Sequence, residues 1–239
     1  MKKLHKLAII LKTREYVQAF IRHGVAAGVE HDSLFASLKA ELKTIVDIGA
    51  NRGQFALAAR HYAPGARILS FEPLQEPAAV FRNVFRRDPL VELHQVAIGP
   101  QHGSQLMHVS IADDSSSLLP ISDLQTRYYP GTGERETRTV EVMPLEAVLQ
   151  PGVIGHGALL KIDVQGYELE ALKGCCSLLD SFDYVYVECS YVALYTSQAL
   201  VGEVTEYLNQ AGFSMTNVYN LARDRAGNPI QGDFLFRRN

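Results

Sequence analysis

The chain has 239 residues, of which 47% are hydrophobic and 21% are charged. This composition argues against a wholly disordered chain and fits one domain with its own core. A formal net charge of −3 gives no reason to expect nucleic acid as a partner, and three cysteines are too few for a disulfide framework. We therefore expect free thiols in a reducing, cytoplasmic compartment.

Residues 1–42 are predicted to form an N-terminal helical extension, with breaks near Gly24 and Gly28 and a short last helix over 34–42. The apolar run Leu7–Leu11 is far shorter than the roughly 20 residues of a transmembrane helix, and no signal-peptide cleavage pattern follows it. Basic side chains outnumber acids before Gly24. A solvated helix face explains this excess, and peripheral contact with an anionic membrane surface is the alternative.

Strands and helices alternate along the predicted main domain, residues 43–239. Strands are predicted over 44–48, 67–71, 91–98, 158–164 and 184–189, and helices over 54–62, 76–87, 168–179 and 203–211. This alternation is typical of right-handed βαβ units, with a mostly parallel sheet and helices on both faces. Segments 214–219 and 232–237 predict an antiparallel hairpin at one edge of the sheet.

An insertion of about residues 101–139 interrupts the alternation. It contains a predicted strand over 105–111 and a polar stretch over 113–137, and a second strand over 138–142 with a short helix over 145–149 follows. A loop as long as this polar stretch, inside a compact domain, is usually functional or mobile.

A glycine-containing loop, residues 49–53, joins the first predicted strand to its helix. Glycines permit a tight turn and close approach of a ligand to the backbone, and the helix start offers free N–H groups. We therefore expect a nucleotide-like ligand at the carboxyl end of this strand. The spacing G-x-N-x-G differs from the dinucleotide pattern G-x-G-x-x-G. Asp47, just before the loop, would repel a pyrophosphate but attract an ammonium or sulfonium group.

A second acid, Glu72, ends the second predicted strand, where a carboxylate can accept hydrogen bonds from both ribose hydroxyls. Together Asp47 and Glu72 favour S-adenosylmethionine over a nicotinamide cofactor. The structural alternatives are an ordinary strand–helix turn for Gly49 and Gly53, a helix-capping carboxylate for Asp47, and favourable charge at a helix N-terminus for Glu72.

Several motifs then occur in a characteristic order: Val46-Asp-Ile-Gly-Ala-Asn-Arg-Gly53, Phe71-Glu-Pro73, Val96-Ala-Ile-Gly99, Ser116-Ser-Leu118, Leu160-Lys-Ile-Asp-Val-Gln-Gly-Tyr-Glu168 and Tyr186-Val-Glu188. In this order they resemble those of the FkbM-type methyltransferases, most specifically in the 160–168 stretch. The resemblance implies a Rossmann-like class I methyltransferase fold with a mostly parallel seven-stranded sheet. It also implies S-adenosylmethionine-dependent O-methylation of a sugar, a glycan or a polyketide-like small molecule.

The resemblance further implies the following roles for individual residues. Asp47, Gly49 and Asn51 would lie along the methionine part of the cofactor, with Ala50 and Gly53 in the same loop. Glu72 would hold the ribose, while Pro73, Ala97 and Ile98 would flank the adenine. Ser116 and Ser117 would close over the cofactor, although serines in loops are more often turn formers.

Three charged residues near the ends of the fourth and fifth predicted strands are candidates for catalysis. Asp163 either orients or deprotonates the acceptor, or it contacts the cofactor amino group. Lys161 faces the same side of its strand as Asp163, so we expect an ion pair with Asp163 or Glu188 in preference to a desolvated base. Glu188 is a second acceptor-binding candidate. The histidines and acids show no metal-binding spacing, so no metal is expected.

Two other functions fit the same sequence features less well. One is a nicotinamide-dependent oxidoreductase on a Rossmann sheet, and the other is a non-catalytic module that binds S-adenosylmethionine. The sequence does not predict an oligomeric state.

Overall fold

The computed structural model describes residues 3–38, 42–150 and 152–239. Its strands are β1 Thr44–Ile48, β2 Arg67–Phe71, β3 Val91–His94, β4 Ala97–Ile98, β5 Gly103–Ser110, β6 Glu134–Met143, β7 Ala158–Ile162, β8 Tyr184–Ser190, β9 Phe213–Arg223 and β10 Pro229–Arg238. Its α-helices are α1 Lys3–Ile10, α2 Arg14–His23, α3 Asp32–Leu38, α4 Gln54–Tyr62, α5 Gln75–Phe85, α6 Asp123–Tyr128, α7 Leu145–Val148, α8 Glu168–Gly174 and α9 Val201–Gln210. Short 3-10 helices cover Val29–His31, Asp113–Ser115 and Leu179–Ser181.

The main sheet has seven strands in the order β3-β2-β1-β7-β8-β10-β9. Strands β3, β2, β1, β7 and β8 run parallel, whereas β10 is antiparallel to both β8 and β9. This confirms the predicted mostly parallel seven-stranded sheet with an antiparallel C-terminal hairpin. The last strand is inserted next to β8, so β9 forms the edge.

Helices cover both faces of the main sheet, because consecutive strand residues point to opposite sides. Ile45 belongs to a core shared with α2, α3 and α4, whereas its neighbour Val46 belongs to a core shared with α8 and α9. Both cores continue across the strands on either side of β1. The carboxyl ends of the parallel strands therefore lie side by side at one edge of the sheet.

Residues predicted as one strand over 91–98 divide between two sheets, so that prediction is wrong. His94 pairs with Phe71, the last residue of β2, and beyond it no β2 residue is left to pair with. Ala97 and Ile98 instead pair with β6 in a second, three-stranded sheet of order β4-β6-β5. The polar stretch predicted as a loop over 113–137 contains α6 and the first residues of β6.

The N-terminal helices pack against the main domain through shared core residues. Tyr16 and Phe35 are almost completely buried in the same core as Ile45. The last predicted helix, 34–42, starts earlier, at Asp32, and is helical to Leu38; residues 39–41 lie outside the described residues.

The basic helix α2 leaves Phe20 and Ile21 exposed beside Arg22, and the expected membrane contact of this region stays a prediction. Within the described ranges, no helix is both long and apolar enough to cross a bilayer.

Candidate functional site

A cavity of about 860 Å³ opens at the carboxyl ends of β1, β2 and β7. Its volume lies in the range typical of small-molecule and cofactor sites. The lining comes from the glycine loop, from the segments after β2 and β7, and from β4. It also comes from the N-terminal segment over 24–31 and from the insertion over 113–118 and 128–132. The two segments outside the alternating strand and helix pattern therefore flank the same cavity.

The glycine loop holds its shape through conformations and contacts that only glycine permits at two positions. Gly49 has φ 79°, and a Cβ there would lie 1.8 Å from the Asp163 carbonyl oxygen. Gly53 has φ 92°, and its Cβ would meet the Phe85 ring at 2.6 Å. Gly49, Ala50 and Asn51 line the cavity. Gly53 instead lies at the packed start of α4, so it supports the loop from behind.

Glu72 is a buried carboxylate that lines the cavity. Its Oε2 accepts from the Asn51 backbone N–H at 3.0 Å, and its Oε1 accepts from the Leu74 N–H at 2.8 Å. Burial raises its pKa to about 7, although the two backbone N–H groups oppose this shift. Each carboxylate oxygen retains lone pairs for a further donor, so the group can accept from two ribose hydroxyls.

The wall beside Glu72 is apolar and suits a flat ring. Pro73, Ala97 and Ile98 all line the cavity there, as do Phe71 and other apolar side chains. An acid next to an apolar slot is the combination that a nucleoside requires. The residues present therefore fit the nucleoside half of S-adenosylmethionine.

Lys161 forms an ion pair with Asp47 instead of with Asp163 or Glu188, so the predicted pairing is wrong. Its Nζ lies 2.9 Å from Asp47 Oδ1 and donates to the Gly49 carbonyl oxygen at 2.8 Å. The register of β1 and β7 places these two residues directly opposite each other, and the Asp47 carboxylate is fully buried behind the cavity wall. Contact between Asp47 and the methionine part of the cofactor remains a prediction.

The charge environment of Lys161 argues against the alternative of a desolvated base. Burial by itself would lower its pKa, but the negative charges of Asp47, Asp163 and Glu188 outweigh burial and raise it. Lys161 therefore stays protonated at neutral pH.

Asp163 and Glu188 are brought together by an amide side chain at the floor of the cavity. Gln165 Nε2 donates to Asp163 Oδ1 at 2.7 Å and to Glu188 Oε2 at 3.0 Å. Gln231 Nε2 donates to Glu188 Oε1 at 2.9 Å. The Tyr195 hydroxyl lies 2.9 Å from Gln165 Oε1 and 3.0 Å from the Ser115 carbonyl oxygen, and its single hydrogen can serve either acceptor. We call Asp163, Gln165, Glu188 and Gln231 the acid–amide cluster; all four line the cavity.

Burial together with the negative charges of Asp163 and Asp233 raises the pKa of Glu188 well above its usual value. The cluster thus contains one carboxyl group that is poised to hold a proton. Sequence reasoning identified Asp163 and Glu188 but gave no role to Gln165, although Gln165 lies within the 160–168 motif. It also missed Gln231, which only the strand pairing of β10 with β8 brings to the site.

The insertion contributes both a lining and a clamp. Arg52 of the glycine loop donates through Nε to Asp113 Oδ2 at 2.9 Å, and this contact connects the cofactor loop to the insertion across the cavity. Ser116 lines the cavity, whereas Ser117 is fully buried and accepts from the Leu119 N–H at 2.9 Å. Ser117 therefore shapes the insertion and does not face the cavity.

Tyr129 lines the cavity and has a buried hydroxyl group. Its side chain lines the cavity, and its hydroxyl has no hydrogen-bond partner among the residues that the structure describes. Burial, followed by the charge of Glu188, raises its pKa to about 12. A buried hydroxyl without a partner is costly, and we predict that a ligand bound next to this residue supplies the partner.

Metal ligands are not grouped in the described part of the chain, where no set of three or more His, Cys, Asp or Glu side chains could hold a metal ion.

Comparison with known proteins gives a family. A family model described as "Methyltransferase FkbM domain" matches residues 47–215. The chain is 30% identical to methyltransferase sdnD of Sordaria araneosa, over 76% of this chain and 75% of that one. It is 26% identical to 31-O-demethyl-FK506 methyltransferase FkbM of Streptomyces tacrolimicus, over 72% of each chain. It is 27% identical to 2-O-methyltransferase NoeI of Sinorhizobium fredii, over 82% of this chain and 83% of that one.

Among solved structures, a putative O-methyltransferase from Klebsiella pneumoniae superposes with a TM-score of 0.51 at 14% identity, covering 98% of this chain and 90% of that one. This likeness supports the class I methyltransferase fold. The family match shows that the nicotinamide-dependent alternative is wrong. The chain belongs to the FkbM methyltransferase domain family and is an S-adenosylmethionine-dependent methyltransferase.

Proposed function

We propose that this methyltransferase acts on a hydroxyl oxygen of a sugar, a glycan or a polyketide-like small molecule. The observation that carries the proposal is the continuity of the cavity. The cofactor-binding side, with Glu72 and Gly49, opens directly onto the acid–amide cluster. An acceptor bound over that cluster would present its oxygen to the cofactor methyl group, and such positioning lowers a barrier by several kcal/mol.

When bound, the cofactor supplies an electrophilic methyl group on a positively charged sulfonium. Glu72 holds the ribose and the apolar wall with Ile98 holds the adenine. Lys161 fixes the Gly49 carbonyl and with it the shape of the loop around the methionine part. Asp163 places negative charge next to the space where the sulfonium would lie and so attracts the cationic cofactor. Together with Glu188 it orients the donors of a polyhydroxylated acceptor.

The acceptor side of the cavity is mixed in character. Tyr128 and Tyr129 come from the insertion, while Lys6 and Glu30 come from the N-terminal segment and form an ion pair of 2.8 Å. Aromatic rings next to charged groups suit a ring that has an apolar face and a polar rim, as sugars and oxygenated macrocycles do. Two of the relatives carry an O-methyl position in their names, which supports oxygen as the atom methylated.

The role of Asp163 can be separated into cofactor and acceptor functions by one variant. If the carboxylate receives the methionine ammonium, Asp163→Asn weakens binding of S-adenosylhomocysteine measured by calorimetry. If it orients the acceptor, the same variant binds S-adenosylhomocysteine like the wild type but loses turnover. Gln165 donates to this carboxylate at 2.7 Å, so a substitution of Gln165 tests the role of Asp163 a second time.

The test of the function is transfer to a panel of hydroxylated acceptors. The purified chain is incubated with S-adenosylmethionine and, in turn, free sugars, oligosaccharides and hydroxylated polyketides, and products are analysed by mass. We expect one added methyl group on one acceptor class. Binding of S-adenosylhomocysteine without transfer to any hydroxyl would contradict the proposal and favour a non-catalytic binding module.

A further inference from the structure

His31 occupies a position that the assigned site does not explain. It ends the 3-10 helix Val29–His31 of the N-terminal segment, and its side chain lines the cavity with 14% of its surface exposed. The imidazole ring meets the Phe55 ring edge-on at 5.1 Å and the Tyr186 ring at 5.6 Å between centroids. The ring is therefore held in place by aromatic packing while one edge faces the cavity.

A chain of hydrogen bonds behind His31 fixes its tautomer. The Tyr186 hydroxyl donates to Asp233 Oδ2 at 2.9 Å, and Asn220 Nδ2 donates to the same oxygen at 2.7 Å. His31 Nδ1 lies 3.0 Å from the Tyr186 oxygen. A tyrosine hydroxyl has a single hydrogen, and here Asp233 accepts it. The Tyr186 oxygen must then accept from His31, which places the ring hydrogen on Nδ1 and leaves a lone pair on Nε2.

Nε2, which carries that lone pair, makes no hydrogen bond within the described ranges. Lys161 is excluded as a base by its ion pair with Asp47. His31 thus brings an unused acceptor in a fixed orientation to the cavity wall.

We propose that His31 is the catalytic base of the methyl transfer, with Tyr186 and Asp233 as positioning residues. The proposal rests on the hydroxyl acceptor proposed above. As the acceptor oxygen bonds to the methyl carbon, the carbon–sulfur bond breaks and its electron pair stays on sulfur, giving the neutral thioether. The hydroxyl proton moves to His31 Nε2, and the resulting imidazolium later releases it to water.

The groups around His31 suit this role. Asp233 Oδ2 lies 3.7 Å from Nδ1 and stabilises the positive charge that the ring gains. Glu30 and Asp32, its neighbours in sequence, also interact electrostatically with the ring. Burial raises the pKa of Tyr186, so Tyr186 keeps its proton and acts as a neutral link between His31 and Asp233.

The first test reads the tautomer and needs no acceptor. Long-range 1H–15N spectra of the histidine-labelled full chain, with His31 assigned by comparison with His31→Gln, are recorded at a pH where the ring is neutral. We expect the Nδ1–H form, and we expect Tyr186→Phe to weaken this preference. An Nε2–H form in the wild type would overturn the proposal whatever the activity.

The second test uses the acceptor found in the panel above. His31→Gln should lower kcat by about 100-fold or more, the usual contribution of a general base. It should also remove the acid limb of the pH–rate profile, while S-adenosylhomocysteine still binds. His102→Gln, whose ring is 67% exposed, is the control and should match the wild type. Tyr186→Phe should alter the pH profile more than it alters acceptor KM.

The outcomes distinguish the two proposals. If the wild-type chain methylates no hydroxyl, both the proposed function and the role of His31 as its base are wrong. If the wild-type chain methylates a hydroxyl and His31→Gln keeps full turnover, only the role of His31 is wrong. Bound S-adenosylhomocysteine shows in either case that the variant is folded.

Discussion

Lys161 Nζ lies 2.9 Å from Asp47 Oδ1 between the two central strands, and the side chains are only 5% and 0% exposed. The same ammonium donates to the carbonyl of Gly49 in the cofactor loop. Lys161 and Asp47 thus form a buried ion pair that joins the sheet to the loop. Removing one partner leaves the other charge buried and uncompensated, which is far more costly than losing an exposed pair.

We predict that Lys161→Met lowers the free energy of unfolding by about 3–5 kcal/mol and weakens S-adenosylhomocysteine binding, because the Gly49 carbonyl loses its donor. Denaturant unfolding and calorimetry measure the two effects. Lys173→Met is the matched control, since Lys173 pairs with Glu170 on an exposed helix face and should cost at most about 1 kcal/mol. An unfolding midpoint for Lys161→Met equal to that of the wild type would argue that the pair does not stabilise the fold.

Burial of Glu72 gives the ligand-free protein a pH dependence of definite sign. Its pKa rises from 4.5 to about 7 on folding, so between these pH values the folded state holds a proton that the unfolded state has released. Stability should therefore fall as pH rises through this window, by up to roughly 3 kcal/mol from this group. Glu168, also raised to about 7 by burial, acts in the same direction.

Glu72→Gln should reduce the loss of stability between low and high pH. Denaturant unfolding at about pH 5 and about pH 8 measures this difference in the free energy of unfolding. The variant should also bind S-adenosylhomocysteine at least roughly tenfold more weakly, about 1.4 kcal/mol, because the ionised carboxylate accepts from the ribose. Glu206→Gln, at an exposed position, should change neither quantity. Equal pH slopes in wild type and Glu72→Gln would rule out this group as their source.

The contact between Arg52 and Asp113 should tune cofactor retention with little effect on stability. The side chains are 42% and 31% exposed, so their removal should change unfolding by less than about 1 kcal/mol. Arg52→Ala should nevertheless speed dissociation of S-adenosylhomocysteine in stopped-flow measurements, because the ion pair that connects the insertion to the glycine loop is lost. The swapped variant Arg52→Asp with Asp113→Arg should recover part of the slower rate; a swap as fast as Arg52→Ala would count against the clamp.

Tyr129 should affect the acceptor and not the cofactor. Its buried hydroxyl lacks a partner among the described residues, and the residue lines the cavity, so we expect Tyr129→Phe to remove a hydrogen bond made only to a ligand. We expect acceptor KM to rise several-fold, for a loss of about 1 kcal/mol, with S-adenosylhomocysteine affinity unchanged in the same preparation. Weaker cofactor affinity with unchanged acceptor KM would place Tyr129 on the cofactor side instead.

Local sequence signals predicted the elements that local forces determine. The predicted bounds are correct for strand Thr44–Ile48, helix Gln54–Tyr62 and strand Arg67–Phe71. β-Branched runs and Gly or Pro residues mark where these elements begin and end. The sequence alone does not predict an element whose position depends on the segment that it pairs with. Ala97 and Ile98 leave the main sheet because β2 ends at Phe71 and their partner β6 lies in the insertion.

The site divides in the same way. Glu72 and Asp163 follow strands and Glu188 lies near the end of one, so their positions were predictable. The partner of Lys161 was not, because Asp47 meets it through the register of strands that are distant in sequence. Neither His31 nor Gln231 carries a local signal. One comes from the N-terminal segment and the other from the last strand, and only packing on the sheet brings them to the cavity.

The central claim is that this methyltransferase places the methyl group on a hydroxyl oxygen. The most direct measurement is the carbon spectrum of product formed with S-adenosylmethionine labelled with 13C at the methyl group, using the acceptor that gains mass in the panel. The account predicts a single methoxy resonance that is absent from a mixture without the protein. A labelled methyl group on nitrogen, sulfur or carbon would contradict it.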